Sequence, residues 1–340
     1  MRAREAGLAC GELPPGARNT IADVPGVLVG HASVRRGEVC TGVTAILPHG
    51  GDIFADKPLA AVDVLNGFGK SVGLLQVAEL GALETPVLLT NTFAVGTCAD
   101  ALIRRAICAN PAIGRRTGTV NPVVLECNDG FLSDIQAMAV TAADAEAAIA
   151  AAASDFASGA VGAGTGMSAF GLKGGIGSAS RRIVLEHLVH HLGVLVLANF
   201  GRAGDLMLPD GRRIQPDAAP PSAPGPEAGS VIVVIATDVP LECRQLRRVA
   251  RRAGAGLARS GSVFGHGSGD IALAFTTANR VPHEARTDLL PLRVLAEARI
   301  DTLFRACAEA TQEAVLDAMV AAEPTTGREG HHRGSLRDLL

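Results

Sequence analysis

Four glycines, three serines, a histidine and an aspartate fall within the eleven residues Ser260-Gly261-Ser262-Val263-Phe264-Gly265-His266-Gly267-Ser268-Gly269-Asp270. Each glycine in a helix interior costs about 1 kcal/mol, so the stretch predicts a tight loop that backbone or ligand can approach closely. A serine hydroxyl there becomes a nucleophile only if a base stands beside it, and nothing in the spacing of His266 and Asp270 marks them as a base and its orienter. A serine can, however, carry its own base. If the Gly261-Ser262 bond is cut, the new α-amine of Ser262 lies on the same residue as its Oγ, with an ordinary pKa of about 7.7–8.0. That amine can take the hydroxyl proton near neutral pH. On spacing alone the other reading, a loop serine that caps its neighbours, stays open.

Further along the chain, Glu126-Cys127-Asn128-Asp129 stands just after an apolar run, where a side chain either projects into a site or faces solvent. Three other signals fail on inspection. Gly69-Lys70-Ser71 resembles the end of a phosphate-binding loop, but the required first glycine falls on Val64. Gly162-Ala163-Gly164-Thr165-Gly166 and Gly174-Gly175-Ile176-Gly177 lack the full dinucleotide fingerprint. His187-Leu188-Val189-His190-His191 has Leu188 where a zinc-protease motif needs glutamate, so no metal is expected.

The elements that must position these residues read as interleaved strands and helices. Residues 21–29, 43–47, 60–65, 87–90, 122–126, 183–191, 193–198 and 230–237 are β-rich runs bounded by turn formers. Residues 74–83, 98–109, 142–157, 241–257, 287–298 and 301–321 carry apolar positions at helical spacing, with Thr141 as an N-cap and Pro240 suited to a first turn. Six prolines between Met207 and Gly229 predict a surface excursion over 208–229, and the polar residues 323–340 predict a poorly ordered tail.

With 48% apolar residues in 340 and a mean hydropathy of +0.28, the chain can bury a large core as a single domain spanning 1–340. Aromatics are 3%, with neither Trp nor Tyr, while glycine numbers 40, so small side chains and close-lying layers must pack that core. A net charge of −3 without a basic stripe or aromatic platform argues against nucleic acid as a partner. No apolar run reaches the roughly 18 residues that span a bilayer, so no membrane partner is expected. Residues 1–16 lack the apolar stretch of a secretion signal, and the seven cysteines are odd in number and scattered. Both features lead to the expectation of a cytoplasmic protein with reduced thiols.

The sequence resembles the L-aminopeptidase D-amidase/D-esterase (DmpA) family of self-cleaving N-terminal-nucleophile hydrolases, which includes the β-peptidyl aminopeptidases. The resemblance runs from about residue 18 to 328. It is carried by Asn19-Thr20-Ile21-Ala22-Asp23-Val24-Pro25-Gly26-Val27, Thr41-Gly42-Val43-Thr44, Val64-Leu65-Asn66-Gly67-Phe68-Gly69-Lys70, Leu89-Thr90-Asn91-Thr92, Glu126-Cys127-Asn128-Asp129-Gly130, Lys173-Gly174-Gly175-Ile176-Gly177, Ala198-Asn199-Phe200-Gly201 and the Ser260–Asp270 stretch.

The resemblance implies an α/β fold, a four-layer αββα sandwich, cleaved between Gly261 and Ser262 into segments 1–261 and 262–340 that stay associated. By the same resemblance Ser262 is the nucleophile, and Asn199 points its amide at the oxyanion. Glu126 anchors the substrate ammonium, with Asp129 as the alternative, and Thr311 and Glu313 relay protons. Phe131 stands where relatives often carry Tyr or Trp, which removes a phenolic hydrogen bond from the substrate pocket. No cofactor is implied. The expected partner is a small peptide, amide or ester with a free amino terminus, and the expected assembly is a homo-oligomer of processed pairs. Two rivals stay open: a hydrolase or acyltransferase for ω-amino-acid oligomers on the same scaffold, and an unprocessed binding protein.

Overall fold

The computed structural model describes residues 1–216 and 228–340. The chain runs through β1 (Leu28–Arg36), β2 (Val39–Leu47), β3 (Asp56–Gly67), α1 (Leu74–Leu80), β4 (Val87–Asn91), α2 (Val95–Ala109), β5 (Val123–Cys127) and α3 (Ala142–Ala150). It continues through the two-residue strands β6 (Ser168–Ala169) and β7 (Leu172–Lys173), then β8 (Gly175–Leu185), β9 (Leu188–Asn199), β10 (Ala228–Thr237), α4 (Cys243–Ala250), α5 (Ala253–Arg259), β11 (Gly267–Pro282), α6 (Ile300–Ala321), β12 (Thr325–Thr326) and β13 (His332–Arg333). Among the described residues two larger sheets form, one in the order β1-β2-β4-β5 and one in the order β3-β11-β10-β9-β8, beside the two-stranded pairs β6-β7 and β12-β13.

Both faces of the larger sheet are apolar. Along β9, Val194, Val196 and Ala198 enter one buried cluster while Leu195 and Leu197 enter another, and β10 alternates likewise through Val231, Val233 and Ile235 against Ile232 and Val234. A strand covered on both sides requires this pattern. Leu195, Leu197, Ile232 and Val234 meet Val29, Ile46, Leu89 and Leu125 of the smaller sheet, so that cluster fills the space between the sheets. The other cluster is closed by Leu246 of α4, Leu257 of α5 and Leu303, Val315 and Met319 of α6. Beyond the smaller sheet, Val43, Leu88 and Val124 pack on Cys98 and Leu102 of α2 and on Ala148 and Ile149 of α3. The layers therefore run helix, sheet, sheet, helix, the expected αββα sandwich. Glycine sets the spacing where α6 crosses β8: a Cβ on Gly177 would stand 2.0 Å from the Ala314 carbonyl oxygen.

Several sequence expectations are corrected. Residues 21–29 are not one strand, because Ile21–Asp23 closes as a 3-10 turn capped by Thr20 and Asp23. The helix over 142–157 stops at Ala150, and Ala153 bridges to Val29 instead. The run 183–191 is a hairpin that turns at Glu186 and His187, with φ of 48° and 69°. The run 241–257 breaks into α4 and α5. No α-helix forms over 287–298. Pro291 disfavours helix at Leu290, and Asn279 holds Arg293 by both backbone groups, donating to its carbonyl (2.7 Å) and accepting from its N–H (3.2 Å).

The start of the proline-rich excursion is part of the core, since Leu208 and Ile214 are buried, while residues 217–227 lie outside the described residues. The tail from 323 is also built in. Thr325 and Thr326 of β12 pair with Arg333 and His332 of β13, and Leu336 is fully buried. Its polarity had suggested disorder. What fixes it is a set of long-range backbone bonds, Lys173 N–H to the Gly334 carbonyl (2.8 Å) and Arg328 N–H to the Leu132 carbonyl (2.9 Å).

Candidate active site

The Ser260–Asp270 loop begins where α5 runs out. Gly261 has φ +106°, and a Cβ there would lie 2.0 Å from the Asp205 carbonyl oxygen, so only glycine fits at this junction. The segment after β9 braces it from the other side, Met207 N–H donating to the Ser260 carbonyl (3.1 Å). Ser262 is buried at 4% exposure. Its N–H donates to the Leu257 carbonyl (3.3 Å) and its Oγ accepts from Phe264 N–H (3.2 Å). Phe264 takes a left-handed φ of 56°, uncommon for a bulky residue. Asn66 then pins the turn by donating to the Gly265 carbonyl (3.0 Å), and β11 follows. Asp270 is fully buried and accepts from Ser268 Oγ (2.6 Å).

The C-terminal ends of β3, β5 and β9 and the N-terminal ends of β10 and β11 meet at one end of the sandwich, around a cavity of about 710 Å³. Glu126 stands in its wall. One carboxylate oxygen accepts from Lys70 N–H (2.8 Å) and the other from Thr92 Oγ1, and among the described residues it forms no ion pair. Asn199 lines the same cavity; its Oδ1 accepts from Ser168 N–H (2.9 Å) and its Nδ2 donates to the Asn128 carbonyl (2.8 Å). Those two bonds fix which end of the amide is nitrogen and leave its second N–H for the cavity. Phe131 forms part of the rim, stacked on His331 with centroids 4.6 Å apart, and the Arg333 guanidinium lies 3.6 Å above its ring.

The model of peptidase family S58 matches residues 19–333. The chain belongs to this family. A curated relative, the β-peptidyl aminopeptidase BapA of Sphingosinicella microcystinivorans, is 37% identical over 93% of this chain and 85% of its own. Among solved structures, the PH0078 protein of Pyrococcus horikoshii OT3 superposes with a TM-score of 0.92 at 46% identity, covering 99% of this chain and 96% of its own. The L-aminopeptidase D-Ala-esterase/amidase of Ochrobactrum anthropi, described as a prototype of the serine aminopeptidases and a variant of the Ntn-hydrolase fold, superposes with a TM-score of 0.91 at 36% identity over 98% and 95%. This S58 chain is thus a hydrolase of the Ntn type.

Not every residue that the sequence singled out reaches the S58 cavity. Ser262 lies beneath the surface, and Gly267 of its loop supplies that part of the wall. Asp129 has no access to substrate: it is fully buried under the Gly162–Gly166 turn, where a Cβ on Gly166 would touch it at 2.9 Å. Burial pushes its carboxyl up to about 6, against the lowering effect of Thr41 and Asn91. Near it the fully buried Lys173 ammonium donates to the carbonyls of Gly164, Met167 and Gly174, and burial brings it down to about 7.

Glu313 is occupied elsewhere. Its carboxylate accepts from Arg4 (2.7 and 2.9 Å), Arg181 (2.9 Å), Asn19 and the Cys10 N–H. Burial alone would raise its pKa, but Arg4, Arg181 and Asn19 outweigh it and hold the group below the ordinary 4.5. A carboxylate so held is a poor base at neutral pH. Thr311 lies against Gly256 of α5 with its hydroxyl buried and unbonded. Sequence reasoning missed Lys70, Thr92 and Arg333. Lys70 and Thr92 sat inside the family-like stretches but carry no spacing signal, and Arg333 sat in the segment taken for a loose tail.

Proposed function

We propose that the protein cuts its own Gly261-Ser262 bond and then acts as a serine aminopeptidase or amidase on small peptides, amides or esters with a free amino terminus. In the first stage Ser262 Oγ attacks the Gly261 carbonyl, and the C–N bond to Ser262 breaks as its nitrogen takes up the proton. Water then hydrolyses the resulting ester and leaves a Gly261 carboxylate, a free Ser262 hydroxyl and a free α-amine. In the mature enzyme that amine accepts the Oγ proton while Oγ attacks the substrate carbonyl. The leaving amine departs with a proton, and a second water releases the acyl group.

The free N–H of Asn199 would hold the oxyanion, a donor whose loss typically costs about 2.7–4 kcal/mol of transition-state stabilisation. Glu126 would take the substrate ammonium, and Thr311 keeps the part of a relay hydroxyl. The observation that carries the reading is Glu126. A carboxylate in a cavity wall, hydrogen-bonded but paired with no cation among the described residues, has its charge left over for a cationic ligand. The β-peptidyl relative supports including β-aminoacyl groups among the acyl donors. Seven cysteines left as thiols support a cytoplasmic location. The exposed Leu289, Leu292 and Val294 support a homo-oligomer.

The test is to trap the acyl-enzyme. With a slowly deacylating aminoacyl ester the reading predicts that the 262–340 fragment alone gains the mass of the acyl group, at Ser262. Turnover with the adduct on 1–261 contradicts it.

A further inference from the structure

We propose that Arg333 forms an anion subsite for the leaving group, so that the enzyme favours short peptides whose free carboxylate lies just beyond the scissile bond. The inference rests on the aminopeptidase reading above. Arg333 and Glu126 line the same cavity, one cationic and one anionic. The arginine is held there by structure on three sides. Its backbone pairs with Thr325, its guanidinium lies flat on Phe131, and the neighbouring Gly334 carbonyl accepts from Lys173 N–H. His331, stacked on Phe131, bonds the Phe131 carbonyl (2.7 Å) and fixes the ring on which the guanidinium rests.

The charge itself is left open. Arg333 forms no ion pair among the described residues, its Nε is buried without a hydrogen-bond partner, and its one hydrogen bond is a long contact of 3.4 Å from Nη1 to the His332 carbonyl. Other arginines of this chain lie against carboxylates, as Arg251 does on Asp63 and Arg337 on Glu323. A guanidinium that is packed, partly desolvated and unpaired presents a planar fork that matches a carboxylate. A substrate anchored by its ammonium at Glu126 places its leaving group elsewhere in the same cavity, and a short peptide carries a carboxylate at that end.

The measurement compares a dipeptide that the mature enzyme cleaves with the same dipeptide as its C-terminal amide, and reads the acid-to-amide ratio of kcat/KM. For Arg333→Met the ratio is expected to fall about tenfold, the lower end of what a charge-assisted bond contributes. It should fall through KM rather than kcat, and Arg333→Lys should restore part of it. An unchanged ratio in Arg333→Met with both substrates still cleaved overturns the subsite alone. Failure of the wild type to cleave any dipeptide, as acid or as amide, overturns the aminopeptidase reading and the subsite with it.

Discussion

Glu126 reaches the cavity because β5 ends there, and its charge is held by one backbone N–H and one threonine hydroxyl rather than by a cation. Replacing it by glutamine keeps the shape and removes the charge. A charge-assisted hydrogen bond contributes about 1.5–3 kcal/mol, so Glu126→Gln is expected to lower kcat/KM for free-amine substrates about 10- to 100-fold. Cleavage at Gly261-Ser262 needs no ammonium and should proceed. Steady-state kinetics on a free-amine substrate and its N-acetylated counterpart check this, since equal losses on both would remove Glu126 from the anchor role. Glu126 could be singled out from the sequence because the family resemblance falls on the cluster Glu126-Cys127-Asn128-Asp129 at the end of an apolar run. Arg333 could not, because only the fold brings it over Phe131, 202 positions away in the numbering.

At the scale of elements, the N-terminal segment is bound to α6 and β8 by a buried charge network. Arg2 pairs with Asp317 (2.6 Å) and Arg4 with Glu313 (2.7 Å), while Arg181 meets both Glu309 (3.3 Å) and Glu313 (2.9 Å). Glu313, expected from the family resemblance to relay protons with Thr311, is bound here by Arg4 and Arg181, which are remote from it in sequence. Glu313 is held below its ordinary 4.5, so the stability it contributes is present above that pH and is lost as pH falls through its lower, folded value. Glu313→Gln should therefore flatten the fall of Tm as pH drops below the ordinary 4.5, as read by thermal unfolding over the acid range. An equally steep fall in the variant would assign the acid sensitivity to other groups. Arg181→Met leaves two buried carboxylates short of a partner and should destabilise by about 3–5 kcal/mol.

For the molecule as a whole, the sandwich was expected from the family resemblance, and the apolar runs Val194–Ala198 of β9 and Val231–Ala236 of β10 suit a sheet covered on both faces. The scarcity of aromatics translated into close packing of α6 on β8 over Gly177. What the sequence hid depended on contacts between distant segments: the Asn279 clasp that keeps 287–298 out of a helix, and the ordered tail that completes the cavity wall. The central claim, that this fold serves to make Ser262 an N-terminal residue, is tested most directly by the intact mass of the purified protein under denaturing conditions. The account predicts two chains, one ending at Gly261 and one beginning at Ser262, and a single chain of 34.7 kDa for Ser262→Ala. An active wild-type enzyme that stays one chain, or a Ser262→Ala variant still cut at the same bond, would contradict it.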